Sequence, residues 1–588
     1  MRTLIISCLA LAVATGCAQQ LQEVRAADAD QDTPVAAADV AETLDTVAVT
    51  GSRLKAEERD AANRSRRQAV ASTALVAPPV AVAPPPAPPA PATMGFAAPQ
   101  AAYAPAPAEP NTERYSEFED NGITRAAEQP VSTFSIDVDT GSYSNVRRLL
   151  AQGQLPPKDA VRVEEMINYF DYGYARPADR RQPFRVDTAL APAPWDGKRV
   201  LMRVGVQGYD VDRSEIPASN LVFLIDTSGS MADADKLPLL KESFRQLVPR
   251  LREQDRVSIV VYAGSAGLVL APTPGDRHDL ILAALDRLEA GGSTNGGEGI
   301  DLAYLMAKQS FITGGVNRIV LATDGDFNVG VYDERALETK VEQGREAGIA
   351  LTTLGFGQGN YNEALAEKLA DVGDGNHAYI DSLMEGRKVL VDEMSSTLLT
   401  IASDVKIQVE FNPATVAEYR LVGYENRQLA REDFNNDQVD AGEIGAGHDV
   451  TAIYELCLVG SGCDSSDPLR YGKPAARAAR GDELAHLKLR YKRPGQDTSV
   501  LLDRPVTRGE IAASAGESLR FAAAVAAYAD LLRGGANTNG YTWDQVEALA
   551  RGAIGDDTWG YRGEFLRLVA QARSLSPATG SDVAISHE

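Results

Sequence analysis

The middle of this 588-residue chain predicts an α/β fold: a doubly wound, mostly parallel sheet. Two short segments, Leu221-Val-Phe-Leu-Ile225 and 318–323, are apolar almost without a break, as strands buried on both faces require. Segments of helical period alternate with strand-like ones at the spacing of βα units. Each apolar run is also followed by a polar, Gly-containing loop that begins with Asp.

The elements of this region, 220–402, follow in order. A helical period spans 236–251. Strand-like segments occupy 256–263 and 267–272, and helical ones 278–289 and 297–311. The apolar strand 318–323 comes next, then helix 334–347, strand 350–356, helix 362–372, strand 377–380 and helix 383–399.

The flanks have a different texture. In 113–216, Val131 to Asp139 alternates apolar and polar residues. Short helices are expected over 146–152 and 161–169, and strands over 184–190 and 199–206, an α+β region. In 403–575, strand-like segments at 405–411, 419–424, 450–458, 486–491 and 498–502 imply a β-rich region, a sandwich if shared with the strands before the central domain. Helical segments at 519–532, 543–551 and 563–574 close the chain. The first of these is rich in alanine and has the apolar face of a packed helix.

Before residue 113 no amphipathic period persists. Leu4 to Val13 follows a basic start and is too short for a stable span, so 1–16 reads as a signal peptide. Ala14-Thr-Gly-Cys17 resembles the processing site of bacterial lipoproteins, which implies that Cys17 is the first mature residue and carries lipid. Ala18 in the next position implies sorting to the outer membrane. The stretch 17–112 is an Ala/Pro-rich tether that favours extended conformations and buries no core. Within it, Leu44-Asp-Thr-Val-Ala-Val-Thr-Gly-Ser-Arg53 resembles a segment near the start of TonB-dependent outer-membrane receptors. Two readings stand: a strand offered to a TonB-system or outer-membrane partner by β-addition, or plain linker.

Composition is that of a folded protein, 44% hydrophobic and 24% charged, with a net charge of -24. Such an acidic chain without a basic stripe repels phosphate backbones, which argues against nucleic acid and for divalent cations as ligands. Cys457 and Cys463 are spaced to close a small disulfide loop in an oxidising compartment; two free thiols are the other reading.

In open α/β sheets ligands bind at the carboxyl ends of the strands. Asp226, Ser228 and Ser230 leave the first apolar strand in Asp226-Thr-Ser228-Gly-Ser230. Thr294 sits in the Gly-rich loop before helix 297–311, and Asp324 ends strand 318–323. Three hydroxyls and two carboxylates, with no nitrogen or thiolate, suit a hard cation, Mg²⁺ (or Mn²⁺ or Ca²⁺), and argue against zinc. These five residues resemble the metal-ion-dependent adhesion site of the von Willebrand factor type A (VWA) family, Asp-x-Ser-x-Ser followed by a distant Thr and Asp. The resemblance implies direct coordination by Ser228, Ser230 and Thr294, with Asp226 and Asp324 acting through water. It also implies an exchangeable position that accepts a partner protein's carboxylate. Segments around 132–139 and 433–448 resemble those framing the VWA domain in a family of bacterial VWA lipoproteins, over 113–573.

Other motifs carry less. Asp139-Thr-Gly-Ser142 has the short signature of aspartic proteases but no matching second loop. Asp433, Asn435, Asp437 and Asp440 begin like a calcium loop, but Gln438 and Ile444 stand where an EF-hand needs Gly and Glu. A weak, irregular Ca²⁺ loop and a solvated acidic loop both stay open. Gly355-Phe-Gly357-Gln-Gly-Asn360 lacks the third glycine of a dinucleotide fingerprint. His377 reads as structural, and nothing in the chain requires catalysis. The expectation is a non-enzymatic, membrane-tethered module that binds a protein through its metal. Its competitors are an envelope protein whose metal only stiffens loops, and a hydrolase with a site in the flanks.

Overall fold

The computed structural model describes residues 115, 117–136, 139–292, 296–325, 334–357, 363–437, 439, 441–465, 481–496 and 498–577. Cys17, the segment 44–53 and the rest of 1–112, together with Thr294 and Asp440, lie outside the described residues.

Strands β1 (Thr124–Arg125) and β2 (Val131–Ser135) come first. Helix α1 (Gly141–Ala151) begins earlier than its apolar period predicts. The polar segment 141–145 is helical because tertiary bonds hold it. The Ser142 hydroxyl donates to the Ala160 carbonyl at 2.7 Å, and its amide donates to Glu165 at 2.8 Å. Helix α2 (Val163–Asn168) follows, then the antiparallel pair β3 (Phe184–Pro192) and β4 (Arg199–Gly208).

The central domain then runs through β5 (Ser219–Asp226), α3 (Leu237–Leu247), β6 (Arg256–Tyr262), β7 (Ala266–Pro274), α4 (His278–Asp286), α5 (Gly296–Gln309) and β8 (Val316–Thr323). It continues through α6 (Glu334–Glu346), β9 (Ala350–Phe356), α7 (Glu363–Val372) and β10 (His377–Ile380). The strand order is β10-β9-β8-β5-β6-β7, parallel except for the edge strand β7. Because a strand alternates its faces, Leu221, Phe223 and Ile225 of β5 enter one core and Val222 and Leu224 the other. The strand is therefore apolar throughout.

The segment 383–399, expected as one helix, is broken. Helix α8 (Leu383–Arg387) gives way to a widened π turn at Lys388–Asp392 and then to α9 (Met394–Leu398). The Lys388 ammonium, buried here, pairs with Glu393 and lies 4.5 Å from the centre of the Tyr169 ring. Holding that charge between two partners fits the local departure from α geometry.

After it come β11 (Thr400–Phe411), β12 (Val416–Val422), β13 (Ile444–Gly445), β14 (Asp449–Leu458), β15 (Glu483–Lys492) and β16 (Ser499–Thr507). The two flanks form one sandwich. One sheet has the order β1-β12-β14-β4-β3; the other has β13-β11-β15-β16, with β2 also paired to β11. The central domain is thus inserted between β4 and β11. Alternate residues of β4 again divide: Met202, Val204 and Val206 enter the sandwich core, and Leu201 faces a helical layer. That layer contains α1, α2, α10 (Glu517–Leu532), α11 (Trp543–Arg551) and α12 (Tyr561–Leu575). Helix α10 is buried from Phe521 to Asp530. No described helix is long and apolar enough to cross a membrane.

Two buried ionic clusters join the central domain to the flanks. Arg147 of α1 donates to Asp381 and Glu385 of the central domain, to Glu564 of α12 and to the Tyr169 hydroxyl. Arg162 and Arg427 share Glu367 of α7, and Arg427 also reaches Asp139 at 3.3 Å. Cys457, near the end of β14, is disulfide-bonded to Cys463.

Candidate metal centre

Strand β5 lies between β8 and β6, so the strand order reverses at its carboxyl end, where open α/β sheets leave a crevice. The register sets Ile225 opposite Ala322 of β8 and Asp226 opposite Tyr262 of β6. Asp226 therefore emerges beside Thr323, whose hydroxyl lies 3.5 Å from its Oδ2, and Asp324 follows one residue on. Both aspartates are buried, at 0% and 1% exposure.

The loop after β5 turns on itself through Asp226, whose Oδ1 accepts the Ser228 amide at 2.8 Å. The turn brings the hydroxyls of Ser228 and Ser230 to 2.9 Å of each other, Ser228 buried and Ser230 half-buried at the rim. The Gly-rich loop is pinned to this turn by two backbone bonds. Gly291 donates to Thr227 at 2.8 Å, and Gly229 donates to Gly292 at 3.0 Å. Helix α5, which starts just after Thr294, approaches β6 closely at Gly299, where a Cβ would stand 2.8 Å from Cβ of Tyr262.

Burial pushes the Asp226 carboxyl up to about 6; hydrogen bonds from Ser228 oppose the rise and the charge of Asp324 adds to it. Two neighbouring buried carboxylates call for a cation. The described donor set, two carboxylates and two hydroxyls, is all oxygen and fits Mg²⁺ with its retained waters. Among the described residues no three His, Cys, Asp or Glu side chains gather for a metal. A centre built half from hydroxyls does not need such a group.

One member of the cluster was not foreseen. The Lys236 ammonium, buried at the start of α3, sits 3.0 Å from Oδ2 of Asp324. Nothing in the sequence distinguishes it from a solvent-facing lysine opening a helix.

The remaining candidates fall elsewhere. Asp433 turns back to accept the Ala430 amide at 3.2 Å. Asn435 and Asp437 are engaged by Arg490, at 3.0 and 3.2 Å, and Asp437 also by Ser499. A guanidinium thus engages two of the four candidate calcium-loop residues, Asn435 and Asp437. Asp139 accepts the His377 amide and Arg427, so the protease-like motif serves a domain junction. His377 is buried with Nδ1 2.8 Å from the Thr353 hydroxyl.

A parallel sheet with an Asp-x-Ser-x-Ser loop at its switch point defines the central domain as a von Willebrand factor type A domain, and the family model of that description matches residues 220–392. The models "von Willebrand factor" and "Uncharacterized protein YfbK, C-terminal" match 109–203 and 396–575. The chain belongs to the YfbK family: it is 50% identical over 476 residues to "Uncharacterized protein YfbK" of Escherichia coli (strain K12), covering 79% of this chain and 82% of that protein. It is also similar, at 30% identity over 185 residues, to the magnesium-chelatase 60 kDa subunit of Rhodobacter capsulatus, covering 29% of this chain and 32% of that one. Among solved structures, the von Willebrand factor type A protein from Catenulispora acidiphila aligns at 16% identity with a TM-score of 0.37, over 68% of this chain and 91% of that one.

Proposed function

We propose that this chain is a non-enzymatic cell-envelope protein that binds a partner protein through a divalent metal, Mg²⁺ in the first instance, held at the rim of its VWA domain. The observation that carries the reading is the placing of Asp226, Ser228, Ser230 and Asp324, all oxygen donors, at one rim of the sheet, with the two carboxylates and Ser228 buried. Ser228 and Ser230, with Thr294 from the adjoining loop, would hold the ion, and Asp226 and Asp324 would accept hydrogen bonds from its waters. The bound ion supplies an electrophilic position for a partner's carboxylate. Hydroxyl ligands cancel little of its charge, which keeps that position attractive to an anion. The lipoprotein-like start and the Cys17 anchor put the domain on a lead from the outer membrane. The Cys457–Cys463 bond suits an oxidising compartment.

Crosslinking and recovery of the full-length chain from envelope extracts tests this reading. Recovery of a specific partner in Mg²⁺, its loss with chelator, and its loss in Ser228→Ala are expected. Partner recovery indifferent to both chelator and Ser228→Ala would leave the metal a loop stiffener at most and sink the adhesive reading.

A further inference from the structure

Lys236 stands at a position that disfavours it. It is the residue before the first turn of α3, where the helix dipole repels a cation and where Ser, Thr, Asp or Asn would cap the amides. Its side chain makes no capping bond. Instead it runs inward to Asp324, with the lysine 8% and the aspartate 1% exposed. The stem has a built path, since it crosses Gly357 at the end of β9, where a Cβ would lie 2.3 Å from the lysine Cε and 2.4 Å from its Cγ. Gly357 also has a positive φ of 74°, so a side chain there is disfavoured twice. Helix start, strand end and carboxylate are thus arranged around one ammonium.

That ammonium shares Asp324 with the metal reading of the rim, on which this inference rests. The ammonium pairs with Asp324, and a divalent ion entering beside it would put two cations on one carboxylate at short range. We propose that Lys236 is a resident competitor for the metal. In the metal-free protein it neutralises Asp324, and it gives up that carboxylate when a divalent cation enters. The competition keeps the empty rim folded, and it weakens metal binding enough for the ion to exchange.

Calorimetric titration of the full-length chain with MgCl₂ tests this on wild type, Lys236→Met and Lys236→Arg. Lys236→Met is expected to bind Mg²⁺ roughly tenfold tighter or more, with Lys236→Arg close to wild type. The Met variant should also lose more thermal stability in chelator than in saturating Mg²⁺. A second readout needs no variant: amine acetylation of Lys236, followed by mass spectrometry, should be slow in chelator and severalfold faster in Mg²⁺. Wild type that binds Mg²⁺ while Lys236→Met binds it equally or more weakly, or acetylation that Mg²⁺ leaves unchanged, would overturn the competitor role and leave the metal site standing. Failure of folded wild type and Lys236→Met alike to bind Mg²⁺ would overturn the metal reading, and this role with it.

Discussion

Asp226 and Asp324 owe their burial to strands that have no polar face, and their pairing to the parallel register of β5 with β8. The same inserted sheet buries a histidine with no part in the rim. His377 is enclosed beside Thr353, and burial pulls its imidazole from the ordinary 6.5 down to about 4. The folded-state value lies below the unfolded one. The neutral ring's stability is therefore fully present above 6.5 and is lost as pH falls toward about 4. Burial alone would raise the Glu367 carboxyl, but Arg162 and Arg427 outweigh it and hold it below its usual 4.5, so its own loss begins lower. The buried Asp449, Glu425 and Asp226 carboxyls, raised to about 8, 7 and 6, contribute the opposite slope to wild type and variant alike. From pH 7.5 to 5 the wild-type denaturant midpoint should therefore fall relative to that of His377→Asn; parallel slopes would refute the assignment. The metal candidates Asp226, Ser228, Ser230 and Asp324 were legible in the sequence because each sits in a loop leaving a recognisable apolar strand. Lys236 was not, because only the tertiary fold brings a helix-opening lysine to Asp324.

At the scale of elements, period and apolar runs located the strands and helices of the central sheet to within a few residues. They missed features imposed by contacts from elsewhere. Helix α1 extends into a polar stretch because Ser142 is bonded to α2 and the loop before it. The helix expected over 383–399 widens into a π turn around buried Lys388. Strand β4 shows a further constraint that alternation does not reveal. On its helical-layer face, Gly205 leaves room for the Tyr174 ring, and a Cβ there would lie 2.7 Å from it. Gly205→Val should destabilise the protein by about 1–3 kcal/mol through overpacking, read as a lower thermal midpoint. An unchanged midpoint would show that the layer has slack at this position.

Over the whole molecule, the two flanks close into one sandwich around an inserted VWA domain. The pairing of β2 with β11, and of β14 with β4, joins strands far apart in sequence. Alternation suggested shared strands but cannot specify such partners, since register is set by the assembled core. The insertion is locked by charge. Removing the Arg147 guanidinium leaves Asp381, Glu385 and Glu564 together without their shared cation. Arg147→Met should therefore cost about 3–5 kcal/mol, with the VWA domain and the flanks melting in separate calorimetric transitions; a single transition at the wild-type midpoint would contradict the lock. Under the proposed function, the rim mounted on this body grips a partner through its metal. The most direct measurement is calorimetric titration of the folded, full-length chain with Mg²⁺, in wild type and Asp226→Ala. Saturable binding of a single ion per chain by wild type, abolished in Asp226→Ala with the fold intact by circular dichroism, is the predicted result; no binding by folded wild type, or binding unchanged in Asp226→Ala, would contradict it.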